Sequence, residues 1–263
     1  MQISPLNQRR FNNFKSNKRG WYSFWIFSFL FLISIFADFI ANDKPLLVRY
    51  DNAFYLPIVN EYPETIFGGD FETEADYRDP YVKKLINSNG WIIMPIIPYS
   101  YNTIIRDLNV PAPAPPSQKN WLGTDDQARD VLARLIYGFR ISILFGFTLT
   151  FFSMIIGVSA GAVQGYFGGK TDLFFQRFME IWSAIPALYV LIILASIVQP
   201  NFWWLLIILL IFSWMGYVGV VRAEFLRARN FDYVRAAKAL GVSNSTIMFR
   251  HLLPNATVAT ITF

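Results

Sequence analysis

Residues 181–221 are 41 consecutive positions without a charged side chain. As one helix rising 1.5 Å per residue the run would be about 60 Å long, twice the roughly 30 Å hydrocarbon core of a bilayer. As a soluble helix it would have no polar face to turn toward water. It has to fold back, and Gln199-Pro200-Asn201 is the place for it. Proline lacks the amide donor and restricts the residue before it, and Trp203 and Trp204 follow as interfacial anchors. Composition agrees with a chain in lipid: 54% hydrophobic and 16% charged, against roughly 45–50% and 25% for soluble chains. Zero cysteines remove disulfides, thiol catalysis and cysteine-based metal sites, and the single histidine, His251, leaves little for a histidine-led triad or a His-rich metal site.

The rest of the chain divides by charge. Residues 21–41 are almost wholly apolar, with Asp38 near the far end, and have the length of a first transmembrane helix. Arg9, Arg10, Lys15, Lys18 and Arg19 precede it with no acid among residues 1–20, which places the N-terminus in the cytoplasm. A retained anchor is preferred over a signal peptide, because no small-x-small cleavage site follows. Residues 141–169 are uncharged and supply a second span, and two more are expected at 178–198, kinked at Pro186, and at 202–221. This puts residues 42–120, with ten acids against seven bases and 10 of the 14 prolines, on the periplasmic side. The segment after 221, carrying Arg222, Arg227, Arg229, Arg235, Lys238 and Arg250, falls inside. The net charge of +5 is therefore a topology signal. The expected organisation is a cytoplasmic tail at 1–20, a first helix at 21–41, a periplasmic insert of mixed or irregular structure at 42–120, and a membrane domain at 121–263.

Within the membrane domain, Thr124 and Gln127 have the spacing of a capping box, with Asp125 and Asp126 at the positive end of the helix dipole. Val131, Leu132, Leu135 and Ile136 recur on one side of an amphipathic helix expected at the outer interface. Gly157, Gly161 and Gly165 are spaced by four, the pattern that lets a neighbouring helix approach closely. Gly165-Tyr166-Phe167-Gly168-Gly169-Lys170-Thr171 imitates a phosphate-binding loop at its end, but Gln164 occupies the position of the leading glycine and a helix replaces the required strand, so a cytoplasmic turn is expected there. Residues 230–255 read as a short helix from Asp232, stopped at Gly241, restarted with Ser243 as N-cap and ended before Pro254. Such a corner suits DNA binding or docking on a soluble partner. The membrane spans on one side and Leu252-Leu253-Pro254 leading to another apolar stretch on the other favour docking, with no nucleic acid involved.

That segment resembles the cytoplasmic EAA loop of ABC-importer permeases. Ala236 and Ala237, Gly241 four residues on, and Leu253 with Pro254, thirteen residues after the glycine, carry the resemblance; the motif's leading glutamate is Arg235 here. Residues 121–124 and 129–138 resemble the second permease subunit of dipeptide, oligopeptide and nickel importers. The first span with 41–51 is similar, more narrowly, to the permease of a bacterial peptide importer, and that resemblance runs along the whole chain. It implies an all-α polytopic protein of the bacterial inner membrane with the type I permease fold, four spans present of an expected six, and a fifth begun and cut short at 255–263. It implies an ATPase-coupling loop at Ala236, Ala237, Leu240, Gly241, Leu253 and Pro254, and helix packing at Gly157, Gly161 and Gly165. The implied partners are a second homologous permease, an ABC ATPase that binds ATP and magnesium, a periplasmic peptide-binding protein and membrane lipid. This chain would hold no cofactor, metal or catalytic residue. The implied activity is alternating-access import of oligopeptides, including peptide antibiotics such as microcin C. A nickel or other small-solute permease and a membrane adaptor recruiting a soluble partner remain as alternatives.

Overall fold

The computed structural model describes residues 5–199 and 201–254. They fall into two compact units, Met1–Ile143 and Leu144–Phe263. In the first unit, helix α1 (Pro5–Ser16) meets α2 (Lys18–Ile35) at Asn17, whose side chain caps α2 by accepting from the Gly20 amide at 3.2 Å. Phe11 and Phe14 pack edge-on against Trp21 across the join, with ring centroids 5.8 and 5.6 Å apart. The expected single helix at 21–41 is corrected: α2 starts earlier, breaks at Phe36, and a short α3 (Ala37–Ile40) follows. The break lets Asp38 accept from Tyr137 Oη at 2.8 Å and from Arg140 Nη1 at 2.7 Å, while Tyr137 Oη also reaches the Ala41 carbonyl at 2.9 Å.

The insert is mixed α and β. Strands β1 (Leu47–Tyr50) and β2 (Ala53–Tyr55) form a hairpin whose two turn residues, Asp51 and Asn52, both have positive φ, 47° and 64°. That is the type I′ turn, which matches strand twist and suits Asp and Asn. Helix α4 (Pro80–Asn89) is capped by Asp79, which accepts from the Tyr81 amide at 2.7 Å, with Pro80 at the first helical position where no donor is needed. Strand β3 (Gly90–Ile93) returns antiparallel to β1, giving the order β2-β1-β3. Val48 from β1, Val82 and Ile86 from α4, and Phe67 and Tyr77 from the connections close one core. Its rings meet edge to face, Phe67 lying 5.4 Å from Tyr55 and 5.7 Å from Tyr77.

The capping box is corrected as well. Thr124 Oγ1 accepts from the Ala114 amide at 2.9 Å, and Asp125 instead gathers the amides of Gln127 and Arg129 at 2.9 Å, the Arg129 guanidinium and Arg134. Burial opposes ionisation of Asp125, but these donors outweigh it and hold the carboxyl down at about 2. The helix starts later, at Val131, where Asp130 accepts from the Ala133 amide at 2.8 Å. Helix α5 (Val131–Phe167) then continues for 37 residues. The expected interfacial helix and second span are therefore one rod of about 55 Å, because nothing between Tyr137 and Ile141 breaks it.

In the second unit, Gly168 at φ 64° turns α5 into α6 (Gly169–Ser183), so the expected turn at 165–171 shrinks to one residue and the helix leading into the third span begins well before 178. α7 (Ala187–Ile197) follows Pro186, and the two helices are bent by 62° at that break. Asn201 caps α8 (Phe202–Ser213) through the Trp204 amide at 3.0 Å; Pro200 lies outside the described residues. After Trp214, α9 (Met215–Ala228) carries the helix past the expected end at 221. By length and apolarity, α5 and the 27-residue stretch Phe202–Ala228 can each cross a bilayer, and the bent α6–α7 pair can make a third span. Two short pieces close the unit: α10 (Asp232–Ala239), and α11 (Asn244–Thr246), which continues into a π turn at Ile247–Leu252. The expected end before Pro254 is corrected, since Leu253 and Pro254 are helical. The π turn comes just before Pro254, whose ring would crowd the carbonyl four residues back in a regular α-helix. The expected fifth span at 255–263 lies outside the described residues.

α5 and α9 meet at the three glycines. A Cβ on Gly161 would stand 2.8 Å from the Val218 carbonyl and 2.9 Å from Val221 Cβ, and one on Gly165 would stand 2.5 Å from Phe225 Cβ. One on Gly157 would collide with the Trp214 carbonyl. One turn before the seam, Ser153 and Ser213 share a hydrogen bond of 2.6 Å.

Gly161→Leu is expected to lower the detergent-solubilised thermal midpoint, by the equivalent of about 1–3 kcal/mol of overpacking. Gly146→Leu, on the same helix with nothing within 4 Å of its Cβ, should leave the midpoint unchanged or raise it. Asp125 makes a separate prediction. Its folded pKa lies below the 3.8 of a free carboxyl, so its stabilisation is complete above about pH 4 and is lost as pH falls toward 2. Asp125→Asn should cost about 1–2 kcal/mol at pH 6 and flatten the acid limb of stability, read from thermal midpoints between pH 6 and 3.

Candidate functional site

The corner between α10 and α11 is built by two backbone hydrogen bonds that close the end of α10. The Gly241 amide donates to the Lys238 carbonyl at 3.0 Å and the Val242 amide to the Ala237 carbonyl at 3.1 Å. This is the Schellman ending, which requires a left-handed residue, and Gly241 sits at φ +77° with no atom within 4 Å of its absent Cβ. Ala237 and Val242 pack on the same core, as that motif favours. Ser243 then restarts the helix by accepting from the Thr246 amide at 3.3 Å.

One side of the corner is buried. Val234, Ile247, Met248 and Leu252 join Ala162 and Tyr166 of α5 and Val221, Phe225 and Ala228 of α9 in a single cluster. Tyr166 touches both arms: its hydroxyl donates to Asn244 Oδ1 at 2.7 Å, and Lys238 Nζ lies 4.6 Å from its ring centre. The other side faces outward. Leu240 is 83% exposed at the tip, and Phe231 and Tyr233 are exposed at the start of α10. Of the remaining residues expected at the site, Ala236 is exposed, Ala237 and Leu253 are half-buried against the cluster, and Pro254 is exposed. The structure thus brings Ala236, Ala237, Leu240 and Gly241 together at the tip and separates Leu253 and Pro254 from it by the π turn.

Sequence reasoning missed the polar ties that orient the corner. Arg222 of α9 forms a two-pronged pair with Asp172 of α6, at 2.6 and 2.7 Å. That fork geometry fixes direction as well as distance. Arg229 follows α9 and points at the last turn of α5, 3.5 and 3.4 Å from the carbonyls of Gly165 and Tyr166, where a helix end attracts a cation. A signal was present: Asp172 is one of only four charges in residues 141–221, and Arg222 is the first basic residue after the long apolar run. Among the described residues, no group of three or more His, Cys, Asp or Glu side chains could hold a metal ion. An exposed leucine on a rigid, glycine-defined tip can bind a partner surface, and it brings no acid, base or nucleophile to a reaction.

Comparison with known proteins places these features. Residues 133–263 match the family described as binding-protein-dependent transport system inner membrane component, and residues 4–57 match the N-terminal TM domain of oligopeptide transport permease C. The chain is 56% identical over 262 residues to the inner membrane ABC transporter permease protein YejE of Escherichia coli K12, covering 100% of this chain and 77% of that protein. It is 55% identical to the peptidoglycan transport system permease protein YejE of Agrobacterium fabrum, over 99% of this chain and 74% of that one. The oligopeptide transport system permease protein OppC of Bacillus subtilis is 36% identical, over 60% of this chain and 51% of its own length. The chain is therefore a multi-pass inner-membrane protein and a transport subunit, not an enzyme, and it belongs to the YejE family of ABC transporter permeases.

Proposed function

We propose that this permease passes peptides inward and that the Gly241 corner is where an ATPase subunit grips it. The observation that carries this reading is the contrast at one corner: Leu240 is 83% exposed, while the opposite side is locked into the α5–α9 cluster. A force applied at the tip would reach the membrane helices through that cluster. Closure of the ATPase around its ATP and magnesium would move the tip formed by Ala236, Ala237, Leu240 and Gly241, with Leu253 and Pro254 on the return arm. The helices would then exchange an outward-open for an inward-open path, two states that each ligand can bias only through its differential affinity.

The orientation follows from charge. Five bases and no acid among residues 1–20 favour a cytoplasmic N-terminus, a periplasmic insert between the first helix and α5, and a cytoplasmic corner. The proposed division is a tail at 1–20, a first membrane helix, a periplasmic insert at 42–120 and a membrane domain from 121. A second homologous permease would complete the path, a periplasmic binding protein would deliver cargo, and lipid would cover the exposed apolar faces of α7 and α8. Relatives named for oligopeptide and peptidoglycan transport favour peptide cargo. Peptide antibiotics of the microcin C type are included as cargo on the same resemblance.

Leu240→Asp tests the corner without disturbing the fold, because the side chain touches no core. Copurification of the ATPase and ATP-driven peptide uptake should each fall about tenfold or more, the scale of about 1.4 kcal/mol at one docking contact. Membrane insertion and the thermal midpoint should not change. Full uptake together with full copurification would refute the corner's role.

A further inference from the structure

Residues 58–132 are matched by neither family description, yet the two YejE relatives align with this chain through them. Within this stretch the first unit holds a cavity of about 1030 Å³, bounded by α4, the 94–107 connection and the residues leading into α5. That is at the upper end of the roughly 300–1,000 Å³ usual for small-molecule sites.

The charges around it are unevenly committed. Asp76 is occupied by the Arg78 amide at 2.9 Å and Asp79 by the Tyr81 amide at 2.7 Å. Asp130 takes Asn120 Nδ2 and the Ala133 amide, both at 2.8 Å. Asp107 has only loose cations, Arg78 at 3.9 Å and Lys119 at 4.0 Å. Arg78 also stacks 5.1 Å over the Tyr99 ring, which with Trp121 supplies aromatic wall. Lys83 and Arg106 line the same cavity, and neither side chain has an acceptor among the described residues. Four carboxylates and four cations line the cavity, and the charged groups left without a partner there, among the described residues, are the side-chain donors of Lys83 and Arg106, beside an apolar and aromatic surface.

We infer that this cavity binds the carboxylate end of a small organic anion, a short peptide with a free C-terminus, through Arg106 and Lys83, with Tyr99 and Trp121 against its body. The choice of a peptide as carrier rests on the import reading above; the requirement for a carboxylate does not. Arg106 supplies a fork that fits a carboxylate, and Lys83 adds a mobile point charge. Loosely held Asp107 can release Arg78 or Lys119 to a bound anion, or accept from the ligand's ammonium group.

The test uses the full chain in nanodiscs without ATPase, with tri-alanine and tri-alanine amide as probes, so that binding is read separately from uptake. Tri-alanine should bind saturably, and the amide about tenfold more weakly, as expected when a charge-assisted hydrogen bond is lost. Arg106→Gln with Lys83→Gln should weaken tri-alanine by a similar factor and leave the amide unchanged. Arg106→Gln alone, at an unchanged thermal midpoint, should give part of the loss. Absence of saturable tri-alanine binding, equal affinity for acid and amide, or full affinity in the double variant would overturn the assignment. Loss of ATP-driven uptake with this binding pattern intact would count against the import reading alone.

Discussion

The second unit depends on a contact between backbones. Gly157, Gly161 and Gly165 present no side chain to α9, so the carbonyls of Trp214 and Val218 and the first side-chain carbons of Val221 and Phe225 occupy the space where Cβ atoms would be. In a membrane, lipid tails are as apolar as leucine, and helix association comes from packing and polar contacts rather than from escape from water. A seam of this kind has little tolerance for sliding. Moving α9 by one residue would bring a carbonyl opposite a different position on α5, and the three glycines would no longer face what they now admit.

The functional corner inherits its position from that seam. The residues that close the seam at its lower end, Val221 and Phe225, are also members of the cluster that holds Val234, Ile247 and Leu252. Arg222, between them on α9, is tied to Asp172, and Arg229 sits against the end of α5. Tyr166 of α5 then reaches both sides of Gly241. A displacement of the tip would have to be shared by α10, α5 and α9, because Val234, Tyr166, Ala162, Val221 and Phe225 belong to one buried cluster. Packed interiors deform little, so such a group tends to move as a body.

How much of this was legible in the sequence depended on whether a local rule or a distant partner decided the outcome. The stop at Gly241 and the restart at Ser243 follow from local chemistry, a left-handed glycine and a hydroxyl cap, and both occur in the structure. The break at Pro186 is equally local. Helix boundaries were misread beside long-range contacts: Thr124, read as a helix cap, is taken by Ala114, ten residues earlier, and the break at Phe36 lies next to Asp38, which is held by Tyr137 and Arg140, about a hundred residues later. Asp125 has the composition of a helix-start acid, but four donors gathered by a loop outcompete the helix dipole. The continuity of α5 was missed because a charged amphipathic stretch and an apolar one look like two elements when polarity changes, although no residue between them ends a helix.

The insert shows the opposite balance. Its sheet, helix and aromatic core close within residues 47–93, using a two-residue turn and a proline-started helix that are readable one at a time. Its join to the membrane helices is a separate cluster, in which Ala37 and Ala41 meet Ile97, Tyr99, Ala133 and Tyr137. The cavity lies beside that join, with Tyr99 in both and Leu132 next to Ala133 on its wall. A group bound there would therefore contact the first turn of α5 directly. The same helix runs without a break from Val131 to Phe167.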